Sequence, residues 1–254
     1  VGESASQMAG DGLEVSDVRL HMPGDPVRRI NWRATQRHGQ LYINDSLRDR
    51  NIDVVLVVDG LADVGEPPHS YLDCACRAAA GIALAFLQGC DRVGVIRYAG
   101  VVDWAVPRGG RNQLYAILDR LARVRTIQSY VSPNMRLIPR SVLPPGSLVL
   151  VITPLLDDRS IQMLTALAAR GCRPMVLYVS PMGLAAAAGP TDDAAALAER
   201  WWRLKHRGKI AHLRSMGLMV AEWDGVSSLD ACLSSHFRAP GFQASRDAWR
   251  SSAR

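Results

Sequence analysis

Asn51-Ile52-Asp53-Val54-Val55-Leu56-Val57-Val58-Asp59 is short, β-branched and almost wholly apolar, and it stops at an acid. Strict alternation would mark a strand with one wet face. An unbroken apolar run marks a central strand of a parallel sheet, covered on both faces. Similar runs recur at 92–98, 147–153, 174–180 and 217–222, and helical periodicity fills 70–88, 110–123, 158–170 and 191–215 between them. The run at 101–106 follows its predecessor too closely for a crossover helix, so it is expected as an antiparallel edge strand. This alternation predicts an α/β fold: a doubly wound, Rossmann-like, mostly parallel sheet.

Outward from that core, residues 1–11 are rich in Gly, Ser and Ala and read as a linker. Residues 12–50 form a small N-terminal β-hairpin/helix element. It comprises a strand over 13–21, a turn at Pro23-Gly24-Asp25, a helix over 27–38 and a returning strand over 39–44. The main domain spans 51–240, with a proline-bearing surface connection at 128–145, and 241–254 is expected to be a loosely held tail. No internal repeat is present.

A chain of 254 residues with 48% hydrophobic residues is large enough for one α/β domain plus a small appendage. The net charge is +6, and all thirty basic residues except Lys205 and Lys209 are arginines. Charge clusters at Arg28, Arg29, Arg33 and Arg37, and again over 200–214. The second cluster either complements a helix dipole or faces an anionic partner. The five cysteines are odd in number and read as free thiols in a reducing compartment. No apolar run reaches bilayer-spanning length, and the first twelve residues lack the apolar core of a signal peptide. Beginning at Val1 without a methionine, the chain is expected to be a fragment of a longer protein.

In open α/β sheets ligands bind outside the carboxyl ends of the strands. That singles out Asp59 to Asp63, Ser129 to Ser132, Thr153 to Asp158, and Ser180. An acid where Asp59 stands either holds a cation or caps a turn. Asp59-Gly60-Leu61-Ala62-Asp63-Val64-Gly65 carries no dinucleotide fingerprint, and no Gly-Lys-Ser/Thr occurs, so both nucleotide-binding devices are excluded. Nor is there a Gly-x-Ser-x-Gly elbow. The six histidines fall in expected loops or on charged helical faces and read as solvated. Trp201 and Trp202 are expected to pack the last long helix onto the sheet.

The segment from Met22 to Ile43 has a specific pattern: Pro23-Gly24-Asp25, then Arg28-Arg29-Ile30-Asn31-Trp32-Arg33-Ala34-Thr35, Arg37, and Gly39-Gln40-Leu41. In order and spacing it resembles the signature of the domain of unknown function 58 family, and the resemblance runs over about residues 10–180. It implies a von Willebrand factor A-like fold, tethered to the inner face of the membrane by N-terminal helices outside this chain, and partnership with a MoxR-type AAA+ ATPase. It also implies a metal-ion-dependent adhesion site, an Asp-x-Ser-x-Ser at the end of the first strand. Here Asp59, Leu61 and Asp63 occupy those positions, and the later hydroxyl–acid pair has become Thr153-Pro154. Mg²⁺ binding, if retained, falls to Asp59 and Asp63 with Asp157, and no other cofactor is expected. In the signature itself, Asp25 is expected to cap the short helix, and Ile30 and Trp32 to anchor it. Arg28, Arg29, Arg33 and Arg37 are then left for internal carboxylates or a partner's acidic surface.

These readings converge on a cytoplasmic, non-enzymatic protein-interaction module that acts as adaptor or assembly partner of a MoxR-type ATPase, with a degenerate metal site. Its partner-binding residues are Asp25, Arg28, Arg29, Trp32, Arg33 and Arg37. The rivals are a metal-dependent hydrolase at Asp59/Asp63 and a basic nucleic-acid-binding protein.

Overall fold

The structure, a computed structural model, describes residues 17–21, 30–45, 52–126, 133–185 and 193–236. The chain divides into two compact units, Val1–Asn51 and Ile52–Arg254.

In the first unit, β1 (Asp17–Leu20) pairs antiparallel with β2 (Tyr42–Asp45), Leu20 facing Tyr42. Between them lies α1 (Trp32–His38). Its boundaries follow from its caps. The Asn31 side chain accepts the Ala34 N–H at 3.0 Å, and Gly39 takes the left-handed conformation that ends the helix. Thr35 then ties helix to strand, its hydroxyl accepting the Tyr42 N–H at 3.0 Å. The cap of the described helix is thus Asn31 rather than Asp25. The turn at Pro23-Gly24-Asp25, with Arg28 and Arg29, lies outside the described residues.

The second unit is a six-stranded sheet in the order β5-β4-β3-β6-β7-β8. The strands are β3 (Asp53–Asp59), β4 (Arg92–Tyr98), β5 (Val102–Arg108), β6 (Leu148–Thr153), β7 (Met175–Val179) and β8 (Met219–Trp223). All pair in parallel except β5, which turns back antiparallel along β4. The connecting helices are α2 (Tyr71–Gln88), α3 (Arg111–Ala122), α4 (Asp158–Ala169), the short α5 (Pro181–Ala185) and α6 (Asp193–Ser215), with α7 (Leu229–His236) after the last strand. This is the doubly wound, Rossmann-like arrangement, with the edge strand reversed as its short connection required.

Val54 to Val58 are fully buried, as an unbroken apolar run demands. The pleat sends Val54, Leu56 and Val58 into one core with α2 and α3, and Val55 and Val57 into a second with α4 and α6. α2 starts at a capping box, Ser70 and Asp73 each satisfying the other's backbone N–H. In β4, Gly94 is required: a Cβ there would stand 2.8 Å from the Ala105 carbonyl oxygen on β5. Among the described residues no helix is long and apolar enough to cross a membrane.

Candidate functional site

The direction of winding reverses between β3 and β6, so the crevice at their carboxyl ends is where such sheets receive ligands. Asp59 ends β3 there and is 1% exposed. Its Oδ1 accepts the Leu61 N–H at 3.0 Å. Its Oδ2 accepts the Thr153 hydroxyl at 2.7 Å from the end of β6 and the Ser160 hydroxyl at 2.5 Å from the first turn of α4. Thr153 Oγ1 in turn accepts the Leu155 N–H at 3.1 Å. Below them the Tyr71 hydroxyl bridges the two strands, 2.8 Å from the Asp59 carbonyl and 3.0 Å from that of Ile152.

Burial holds the Asp59 carboxyl above its ordinary range; the hydrogen bonds from Ser160, Thr153 and Leu61 oppose that shift, and the charge of Asp157 adds to it. Asp157 itself is pulled below its usual value, chiefly by the Arg159 guanidinium, which donates to both its oxygens at 3.0 Å. Asp157 also accepts the Arg159 N–H and so caps α4.

A divalent cation needs carboxylate lone pairs and hydroxyl oxygens turned toward it. Here both hydroxyls donate inward to Asp59, whose two oxygens accept three hydrogen bonds. Asp63 does not join it: its Oδ1 accepts the N–H groups of Val64 and Leu72 at 2.9 and 3.0 Å, fixing the turn into α2. Asp157 is neutralised by Arg159. Among the described residues no three His, Cys, Asp or Glu side chains converge on one point. The donor set as arranged does not fit Mg²⁺, and what it does chemically is clamp β3, β6 and α4 together.

The other residues singled out from the sequence divide three ways. Asp25, Arg28, Arg29, Ser129 and Ser132 lie outside the described residues. Trp32, 63% exposed, and the exposed Arg33 and Arg37 stand on α1. Ser180 donates its N–H to the Trp223 carbonyl at 2.7 Å, and its hydroxyl opposes the burial that pushes the Tyr178 phenol up to about 12.

Two expectations on α6 are corrected. Trp202 packs inward, but Trp201 points out, 61% exposed, with the Lys205 ammonium 5.3 Å from its ring centre. Leu197 and Leu204, one turn to either side, are 66% and 69% exposed and extend the stripe. His206 is buried rather than solvated. It stacks on Trp202 at 3.6 Å, its Nδ1 lies 3.1 Å from the Trp202 carbonyl, and desolvation lowers its pKa. Sequence reasoning also missed Ser160 as a partner of Asp59.

A family model described as "Protein of unknown function DUF58" matches residues 17–192. Among curated proteins, "Uncharacterized protein Mb1516" of Mycobacterium bovis and "Uncharacterized protein Rv1480" of Mycobacterium tuberculosis are each 33% identical over 124 residues. The match covers 48% of this chain and 39% of each relative's own length. Among solved structures, the conserved hypothetical protein BatB from Bacteroides thetaiotaomicron is similar at 20% identity over 50% of this chain and 66% of that one, with a TM-score of 0.38.

Proposed function

The chain belongs to the DUF58 family, and from that premise we propose that it is a non-enzymatic interaction module of von Willebrand A-like architecture that serves as adaptor or assembly partner of a MoxR-type AAA+ ATPase. The observation that carries this reading is the outward stripe of Leu197, Trp201 and Leu204 on α6. Three large apolar side chains in water at helical spacing, beside the exposed Arg200 and Arg203, have the composition of an interface: tryptophan and arginine anchor protein contacts, and isolated surface helices have no use for such a stripe.

The switch point supports the same reading from the other side. Its acid and hydroxyls are engaged with one another, as in a degenerate metal-ion-dependent adhesion site, so recognition falls to surfaces rather than to a shared cation. A hydrolase at Asp59 and Asp63 would require those two carboxylates to act together, and they serve separate networks.

The test is capture of the candidate ATPase by the full-length protein, comparing wild type with Trp201→Ser/Leu204→Ser and with Arg28→Glu/Arg33→Glu. Loss of capture by the α6 pair, with an unchanged thermal melt, is expected. Equal capture by wild type and both variants, or no capture by wild type, overturns the proposal.

A further inference from the structure

At the opposite edge of the sheet, along the amino ends of β6, β7 and β8, lies an open groove of about 1140 Å³. Its walls come chiefly from two stretches of chain: one running from the short helical turn at Met135–Leu137 to the start of β6, and the connection from α4 to β7. Arg136, Arg140, Arg170 and Arg173 all line it, and no aspartate or glutamate does.

No described carboxylate compensates the four guanidiniums. Among the described residues none of them forms an ion pair. Arg170 is held in place by carbonyl groups alone, donating to those of Met135 at 2.7 Å and Ile138 at 2.8 Å. These bonds fix its position, and no described carboxylate neutralises its charge. Ser147, also in the lining, has a buried hydroxyl oxygen without a hydrogen-bond partner among the described residues. Four like charges around one concavity repel each other and attract anions, and a guanidinium fork matches a carboxylate or phosphate in two parallel bonds.

The rest of the lining says which anion. Leu143, Pro144, Leu148 and Met175 give the groove an apolar floor between its arginines. Its volume exceeds the usual range for a small-molecule site, so a lone phosphate would leave most of it empty. No Phe, Tyr or Trp lines it, so it lacks the aromatic platforms on which successive bases stack in single-strand binding grooves. Being concave, it does not lay an apolar face on a bilayer. We infer that this groove binds an extended acidic peptide segment of a partner protein, with carboxylates on Arg136, Arg140 and Arg173 and intervening aliphatic side chains on the floor.

The inference is independent of the proposed ATPase partnership. It uses none of the α6 residues, and its assay contains no ATPase, so either can fail alone. The probe is a fluorescein-labelled peptide of alternating Glu and Leu, titrated against the whole chain by fluorescence anisotropy at low salt. Its comparators are the Lys/Leu counterpart and an oligo-dT of equal charge.

We expect saturable binding of the Glu/Leu peptide alone, weakened at least tenfold by Arg140→Glu/Arg173→Glu. The charge-matched Arg108→Glu/Arg111→Glu pair at another exposed surface should leave it unchanged. Should the groove variant fold poorly, a second readout uses the unaltered protein: saturating peptide should slow alkylation of Cys172, which lines the groove, relative to Cys90, which is exposed and does not. No binding of the Glu/Leu peptide, equal weakening by both charge-reversed pairs, tighter binding of oligo-dT, or unprotected Cys172 at saturation each overturns the assignment.

Discussion

The two edges of one sheet handle polar groups in opposite ways. At the carboxyl edge, Asp59, Thr153, Ser160 and the Leu61 N–H form a closed set in which every donor has an acceptor and the acid is out of water. At the amino edge, Arg136, Arg140 and Arg173 gather without a carboxylate among the lining residues. Doubly wound sheets ordinarily place function at the first edge and structure at the second. In this chain the first edge carries the marks of structure, namely burial and mutual satisfaction. The second carries charge that no described carboxylate meets, which is a mark of recognition.

The largest effect that can break this contrast comes from Asp59→Ala. It removes the shared acceptor and leaves two hydroxyls and a backbone N–H unpaired in a dry site, so we expect a loss of about 3 kcal/mol in a denaturant titration. A loss below about 1 kcal/mol would mean that the carboxyl edge is wet and open, and the contrast fails. Next in size are Tyr71→Phe and Ser160→Ala, each removing one hydroxyl from the clamp, at about 1 kcal/mol apiece. Because Tyr71 bridges backbone carbonyls whereas Ser160 reaches the carboxylate, only Ser160→Ala should interact energetically with Asp59→Asn in a double-mutant cycle.

The pH dependence of Asp59 sharpens the same point. Its pKa in the fold is raised above the ordinary 3.8, so protonation favours the folded state. That contribution is complete below the ordinary value and is lost as pH rises through the folded one. Asp59→Asn does not titrate, so the wild type's advantage over it should be largest in acid and shrink as pH rises above the ordinary carboxylate range. His206 is shifted the other way, losing stability as pH falls, but it acts in both proteins and cancels in the difference. A wild-type advantage that grows with pH would show that Asp59 is held as a stabilised anion and reopen it as a cation ligand.

The strands and the four long helices of the main domain were legible because each follows from local pattern, whereas the short α5 and α7 were not predicted. The run at Val54–Val58 demands two covered faces, and the predicted helix 110–123 is observed as Arg111–Ala122. Asp59 was legible as the acid to watch. Its partners were only half so. Thr153 ends a strand and was in view, whereas Ser160 lies 101 positions along the chain, inside a helix start where a hydroxyl ordinarily caps. The inward face of α6 was misjudged because two adjacent tryptophans sit 100° apart on a helix, and periodicity alone does not say which one meets the sheet. The amino-edge groove was invisible for a different reason: its four arginines come in two pairs, Arg136 with Arg140 and Arg170 with Arg173, about thirty positions apart, that no run of charge connects. Arg28 to Arg37, adjacent in sequence, drew attention that Arg136 and Arg173 could draw only once folded together.

The smallest effect is also the most discriminating. If the amino edge carries charge for a partner and contributes nothing to the fold, removing it should cost the isolated protein almost nothing. Arg140→Ala/Arg173→Ala deletes two exposed guanidiniums that form no ion pair among the described residues, so the unfolding free energy should stay within about 0.5 kcal/mol of wild type. What change there is should be stabilising, since like charges are being thinned, and should be greater at low ionic strength, where screening is weak. Arg170 is the internal control. Its side chain holds three carbonyls of the adjoining turn, so Arg170→Ala should destabilise at any salt concentration. If the double variant instead lost more than about 1 kcal/mol, those arginines would be structural too, and both edges of the sheet would be devoted to holding the fold.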